Sequence, residues 1–338
     1  MTLDEIDDAV HRFDLPKYTA REIALWIYRR GAVSFDEMTN ISKRTRSLLQ
    51  NNFKIGNFPP EKVSISKDGT RKYLFATNNS RYIETAYIPE KKRHTLCVSS
   101  QVGCKLGCLF CMTARQGFQG NLAASEIINQ IFSLPEREKI TNLVFMGMGE
   151  PFDNTEAVLK SLMILTADYG FAISPRKITV STVGLIPGMI KFIEESRCQL
   201  AISLHSPFDD ERAAIMPVEN IYPVREVIEV IKKYSFERQR RLSFEYILFS
   251  GLNDSSAHVN ELARMLNGVK CRINLMKYHN LPDSPLKGTD DKALMDFRNR
   301  LDKKGITATV RASRGEDIMA ACGLLSTKTN LEQKAKIT

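Results

Sequence analysis

HTLCVSSQVGCKLGCLFC, residues 94–111, runs from a short apolar stretch straight into three closely spaced cysteines. The stretch His94 to Ser99 has the length and composition of a buried strand. In a parallel α/β fold the chemistry sits just past the carboxyl ends of strands, which is where Cys104, Cys108 and Cys111 fall. The same rhythm continues along the chain. Short apolar runs at 141–146, 177–181, 199–204, 242–248, 272–276 and 307–311 alternate with helix-period stretches at 123–134, 154–166, 224–234, 257–267 and 292–304. Six or seven successive βα units predict an open or partial (β/α)6-type barrel.

Upstream the pattern differs. Residues 1–55 carry apolar positions at helical spacing, as in AREIALWIYRRG, and read as a small helical module. Residues 56–92 alternate around turn residues Asp68, Gly69, Asn78 and Asn79, and read as a β-hairpin extension linking that module to a core domain over 93–324. Residues 325–338 read as a flexible tail.

The 338 residues are 43% hydrophobic, enough for a sizeable core. Lysine and arginine exceed aspartate and glutamate by 48 to 39, a net +9 that favours a polyanionic partner. The excess clusters at SKRTR (42–46), KKRH (91–94) and RQRR (238–241), each of which on its own is equally a solvated face. No run of 18 apolar residues occurs and the start, MTLDEIDDAV, is acidic, so a cytoplasmic protein with no membrane segment is expected. Seven cysteines, an odd and scattered set outside the triplet, fit reduced thiols better than a disulfide framework.

Three thiolates suit zinc or an iron–sulfur cluster. A closed zinc site needs a fourth ligand, for which Cys97, His94 and His205 are available. A 4Fe-4S cluster on three cysteines instead leaves one iron open. The loops past the later strands converge on the same face: GMGEP (147–151), the segment after Ser181, HSP (205–207) and KYHNLP (277–282). Read alone, GMGEP is a glycine turn and His205 a hydrogen-bonded loop histidine. Their weight comes from converging.

CxxxCxxC past the first strand, with Phe110 before the third cysteine and a Gly-Glu pair past the second, resembles the radical S-adenosylmethionine (SAM) superfamily. TLCVSSQVGC (95–104), FMGMGEP (145–151), ISLHSP (202–207) and VRASRGEDIMAACG (310–323) narrow the likeness to the RlmN/Cfr family of RNA methyltransferases, over about Ile83 to Leu324. The resemblance implies that Cys104, Cys108 and Cys111 ligate a 4Fe-4S cluster, with SAM on the fourth iron, two SAM per turnover. It places Gly149, Glu150, Ser181, Ser203, Leu204, His205 and either His279 or Asn280 against SAM. It makes Cys322 the carrier of a methyl group, Cys97 the thiol that resolves a covalent enzyme–RNA adduct by forming a disulfide, and Glu84 a proton acceptor.

Without the resemblance, Glu84, Cys97 and Cys322 would read as a strand carboxylate and two small buried thiols. The implied reaction is methylation of carbon 2 of adenine, at position 2503 of 23S rRNA and position 37 of tRNAs, in a monomer reduced by a donor such as flavodoxin. Carbon 2 is not nucleophilic, so a radical route has a chemical reason. The competing readings are methylation of carbon 8 of the same rRNA adenine, as in the Cfr branch, and a non-catalytic RNA-binding protein with a Cys3His zinc. The N-terminal cations Arg21, Arg29, Arg30, Lys43 and Arg44, with Arg71 in the hairpin, are the expected RNA grip.

Overall fold

The computed structural model describes residues 1–236 and 242–327, so RQRR and residues 328–338 lie outside the described residues. Helices α1 (Leu3–His11), α2 (Tyr18–Ala24) and α3 (Lys43–Asn52) form the N-terminal module. Thr2 and Glu5 close α1 with a capping box, and Ser42 caps α3 by accepting the Thr45 N–H, which satisfies donors that a helix start leaves orphaned.

Strands β1 (Lys62–Ile65), β2 (Arg71–Ala76) and β3 (Tyr82–Pro89) follow, then β4 (His94–Cys97). A two-residue ladder, β5 (Gln101–Val102) with β6 (Gly120–Asn121), precedes the remaining strands β7 (Asn142–Phe145), β8 (Ile178–Thr182), β9 (Gln199–Ser203), β10 (Leu242–Leu248), β11 (Cys271–Lys277) and β12 (Ala308–Val310). Between them lie α4 (Met112–Gln116), α5 (Ala124–Phe132), α6 (Thr155–Thr166), α7 (Ile186–Glu195), α8 (Asp209–Ile215), α9 (Val224–Lys232), α10 (Ser256–Met265) and α11 (Asp291–Lys303).

Among the described residues the main sheet has ten strands, in the order β1-β2-β3-β4-β7-β8-β9-β10-β11-β12. Pairing is antiparallel from β1 to β4 and parallel from β4 to β12. Spatial order follows chain order through the parallel part, as consecutive βα units require, so the loops after these strands share one end. Every residue of β10 is buried, as expected of a strand covered on both faces.

Strands β1 to β3, read from sequence as a linking hairpin, are instead the antiparallel margin of the same sheet. The β1–β2 turn is fastened to a distant loop: Asp68 accepts the Gly315 N–H (3.0 Å), and Asp317 accepts the Ser66 hydroxyl (2.6 Å) and the Lys67 N–H (3.2 Å). The N-terminal module shares the core, since Ile6, Val10 and Ile23 pack into the same apolar cluster as the sheet and Tyr28 meets Phe171 at 5.7 Å. Glu5 pairs with Lys160, and Arg21 with Asp168 at 2.7 Å.

The tail expected from residue 325 does not begin there. Leu325, Ser326 and Thr327 are buried, and their backbones bond the Thr113 hydroxyl (2.6 Å), Glu84 (2.9 Å) and Gln116 (2.9 Å). Among the described residues no helix is long and apolar enough to cross a membrane.

Candidate active site

The cysteine loop is pinned at its base. Backbone bonds from Ser100 and Gln101 to the Met148 carbonyl carry β4 onward, and the β5–β6 ladder then closes residues 103–119 into a lobe. Gly103 has φ +73°, and a Cβ there would lie 1.7 Å from the Gly117 carbonyl oxygen, so only glycine fits that crossing. Cys111 is the residue before α4, and Met112 N–H donates to the Gly323 carbonyl (2.7 Å), which ties the cluster loop to the loop of Cys322.

Cys104, Cys108 and Cys111 line one cavity of about 150 Å³, together with Gly149, Glu150, Ser181, Ser203, His205, Glu245 and Cys322. Burial pushes the Cys104 thiol up to about 12, reinforced by Cys111, and raises that of Cys108 as well, reinforced by Cys111 and Cys104. Cys104 and Cys108 so placed resist ionising unless a cation offsets their charge. Among the described residues no three His, Cys, Asp or Glu side chains close on a single ion. The three thiols line one shared cavity without closing on a single ion. The donor set therefore fits a 4Fe-4S cluster.

Past β7, Gly147 and Gly149 are glycines for packing. A Cβ on the first would lie 2.6 Å from the Ser99 hydroxyl, and on the second 2.5 Å from Gln101 Cβ, where φ is also +97°. Glu150 is 3% exposed and its carboxylate accepts the N–H groups of Phe152 and Val183, both at 3.0 Å. Burial outweighs those bonds and pushes its carboxyl up to about 7. A cationic amine in the cavity would find a carboxylate it could ionise.

His205 follows β9 with φ +58° and is 2% exposed. Its Nδ1 accepts the Ile247 N–H (2.9 Å), so the ring proton sits on Nε2, and Phe110 packs edge-on at 4.7 Å. Burial, then the nearby Arg212 charge, lowers its pKa to about 3, leaving a neutral donor. Arg212, fully buried, donates to the carbonyls of Val183 (2.7 Å), Ser203 (2.9 Å) and Leu204 (2.9 Å) and pairs with Glu219.

A second chamber of about 400 Å³ lies beside the first. Cys97 opens onto it, and Cys322 lines both chambers. Cys322 is exposed while Cys97 is buried, and both thiols are free. Packing around each sulfur raises both pKa values, at Cys322 even though the residue as a whole keeps open surface, and the Arg311 guanidinium works against that rise at each.

Four expected contacts fall elsewhere. Leu204 does not line the cavity: its side chain is in the core, and its backbone bonds Glu245 O and Arg212. His279 lines the second chamber, sharing a hydrogen bond with the Ser313 hydroxyl (2.7 Å) and pairing with Glu316, and Asn280 accepts the Gly288 N–H. Glu84 lines neither chamber. It is 1% exposed, 3.0 Å from Lys72 Nζ and bonded by the Ser326 N–H. Of the expected RNA cations, Arg21 and Arg71 are engaged by Asp168 and by buried Glu136.

Residues that sequence reasoning passed over include Arg212, Arg311 and Glu245. A carboxylate inside the otherwise apolar LSFEYIL was the available signal for the last.

A parallel βα sheet with a three-cysteine lobe past its first parallel strand defines a radical SAM protein, and the Radical SAM superfamily pattern matches residues 98–265. The Ribosomal RNA large subunit methyltransferase N-terminal domain matches residues 1–55. The chain belongs to the RlmN family of radical SAM RNA methyltransferases. It is 53% identical to the probable dual-specificity RNA methyltransferase RlmN of Parabacteroides distasonis, over 98% of this chain and 96% of that protein. The RlmN of Syntrophus aciditrophicus is 45% identical over 99% and 97%. A radical SAM methyltransferase from Sphaerobacter thermophilus superposes with a TM-score of 0.89 at 40% identity, covering 96% of this chain and 97% of the other. Its cofactors are accordingly a 4Fe-4S cluster and SAM.

Proposed function

We propose that the chain methylates carbon 2 of adenine in RNA, at position 2503 of 23S rRNA and position 37 of tRNAs, using Cys322 and Cys97 in turn. The observation that carries this reading is that Cys322 stands in the wall between the chamber of the cluster cysteines and the chamber of Cys97. A thiol so placed can be methylated from one side and meet a nucleobase from the other.

The cluster and SAM supply an electron and a methyl group when bound, two SAM per turnover, with a flavodoxin-type reductant and a monomeric enzyme. Cys104, Cys108 and Cys111 hold the cluster. Glu150, Ser181, Ser203 and the Nε2–H of His205 offer polar groups to SAM, beside Gly149. Cys322 Sγ would take the methyl carbon, and once that carbon has lost one hydrogen atom to the radical that the second SAM would supply, Cys322 becomes bonded through it to carbon 2 of the base, with one electron returned to the reductant. Cys97 Sγ then attacks Cys322 Sγ, so that a disulfide forms as the sulfur–carbon bond breaks, the former methyl carbon takes a proton, and carbon 2 of the base gives up the one it carried. Glu84 would take a proton only after leaving Lys72, which assigns it to a state with RNA bound.

Anaerobic reconstitution with iron and sulfide, followed by SAM and an RNA fragment, tests the reading by mass spectrometry of the nucleosides. 2-Methyladenosine together with 5′-deoxyadenosine is the expected result. 8-Methyladenosine would move the protein to the Cfr-type reaction, and no methylated adenine would refute the proposal. Cys97→Ala should leave RNA covalently attached, seen as a retarded band on a denaturing gel.

A further inference from the structure

We infer that the second chamber is an amphipathic nucleotide pocket, in which Arg93 and Arg314 hold a phosphate next to the target adenosine while its base lies toward Cys97 and Cys322. The inference rests on the proposed reaction and adds two residues to it.

The chamber lies inside a curl of the sheet. Arg311, past β12, reaches across to the sulfur of Met146, past β7 (3.6 Å), so the β3–β4 turn and the loop after β12 face the same space. Its two ends differ in chemistry. Cys97, Val144, Ala320 and Leu325 are buried and give an apolar floor, whereas Arg93, Lys277 and Ser313 are exposed and stand at the mouth. A volume of about 400 Å³ is within the range of small-ligand pockets. Apolar walls suit the faces of a base, and a polar mouth suits its sugar and phosphate.

Charge around the mouth is unbalanced. Four cations line the chamber, Arg93, Lys277, Arg311 and Arg314, against one carboxylate, Glu90. Two of the four are already engaged: Lys277 pairs with Asp291 (3.1 Å), and Arg311 Nη1 stands 3.6 Å from the buried Oε2 of Glu245. Among the described residues the other two pair with no carboxylate. Arg93 Nε donates to the Thr95 hydroxyl (3.1 Å), and Arg314 Nε is buried with no hydrogen-bond partner. A buried guanidinium N–H left unpaired is costly unless a ligand supplies the acceptor. Burial and then the Arg311 charge weigh against the cationic form of Arg93, and an anion between these groups relieves that repulsion.

Both arginines sit on fastened loops. Arg93 closes the turn between β3 and β4, its carbonyl accepting the Glu90 N–H (2.8 Å). Arg314 precedes Gly315, whose N–H is held by Asp68 (3.0 Å). Lys91 and Lys92, exposed beside Arg93, carry positive charge outward from the mouth, which gives the KKRH cluster a use.

A phosphodiester is the anion that fits. Guanidinium presents paired N–H donors to phosphate oxygens, and phosphate contacts fix register without reading sequence. An adenine that reaches Cys322 must leave its stack, which costs free energy. A backbone phosphate gripped at the mouth offsets that cost and sets how deep the base enters. Arg93 and Arg314 are therefore positioning residues.

The test uses the reconstituted protein under anaerobic conditions, without SAM, and a synthetic anticodon stem-loop RNA with adenosine at position 37, its binding followed by fluorescence anisotropy. The RNA carries one methylphosphonate, a neutral linkage, placed 5′ or 3′ to that adenosine or in the stem. The parent should lose about tenfold in affinity for one of the two flanking placements, the effect of one charge-assisted hydrogen bond, and little for the stem. Arg93→Gln and Arg314→Gln should each weaken the unmodified RNA by a similar factor, lower the salt slope by about 1, and no longer respond to that methylphosphonate. Arg93→Lys should recover part of the affinity and of the response. A flanking placement that costs the variants as much as the parent, or costs the parent no more than the stem placement does, overturns the inference, as does a parent that binds none of these RNAs. Should Arg314→Gln fail to fold, Arg93→Gln completes the same cycle. Nucleosides from a parallel reaction with SAM are analysed by mass spectrometry. 2-Methyladenosine without the coupling sinks the phosphate site alone, whereas coupling without methylated adenine keeps the site and sinks the proposed reaction.

Discussion

At the scale of single residues, the site is built from groups held away from their solution charge. His205 is buried neutral with a pKa near 3, whereas the unfolded chain takes up a proton near 6.5. Because its folded pKa is depressed, its contribution to stability is present above 6.5 and is lost as pH falls through that value toward 3. Between pH 7 and pH 5 it should cost the protein about 2 kcal/mol. His205→Asn, chosen because asparagine tolerates positive φ, removes that titration, so urea unfolding at the two pH values should show the parent losing about 2 kcal/mol more than the variant. Equal losses would mean that the ring is protonated in place. The cysteine triplet was legible from spacing as a metal-type site, with zinc and an iron–sulfur cluster both open until the family resemblance was weighed. Glu245 and Arg311 were not, since their pairing depends on register between strands 66 residues apart by number, which periodicity does not encode.

At the scale of elements, the loops after β8 and β9 are gathered by one side chain. Arg212, on α8, bonds three of their carbonyls and is neutralised by Glu219, which also accepts the Val224 N–H that starts α9. Arg212→Met strands the Glu219 carboxylate and should lower unfolding free energy by about 3–5 kcal/mol in urea, with part regained when Glu219→Gln is added. A midpoint unchanged by the single substitution would deny the pair this role. The parallel strands were readable as apolar runs, and β10 matches the sequence reading at both ends. Helix α7 was not singled out, because it opens with Pro187 and Gly188, residues that otherwise signal a loop. Gly188 is there for contact: a Cβ would lie 2.6 Å from Phe152 Cβ and from the Thr155 hydroxyl. Nor could alternation distinguish a free hairpin from the margin of a larger sheet, and this is why β1 to β3 were first placed in a linker.

At the scale of the whole molecule, the N-terminal module is joined to the βα core through shared apolar packing, so cations on it are held in fixed relation to the chambers. Lys43 and Arg44 are exposed in the first turn of α3, the end where a helix dipole disfavours positive charge. Such placement opposes local stability and suits a phosphate backbone. Lys43→Gln with Arg44→Gln should weaken RNA binding severalfold and reduce the salt slope by about 2, leaving SAM cleavage without RNA unchanged. An unaltered slope would locate the RNA grip elsewhere. The clasp between the β1–β2 turn and residues 315–317 has a mechanical meaning as well. It joins positions 247 to 251 residues apart, so the segment carrying Cys322 cannot swing outward without either surrendering three hydrogen bonds or dragging the sheet's antiparallel margin along. Force applied to that margin is thereby delivered to the loop of Cys322.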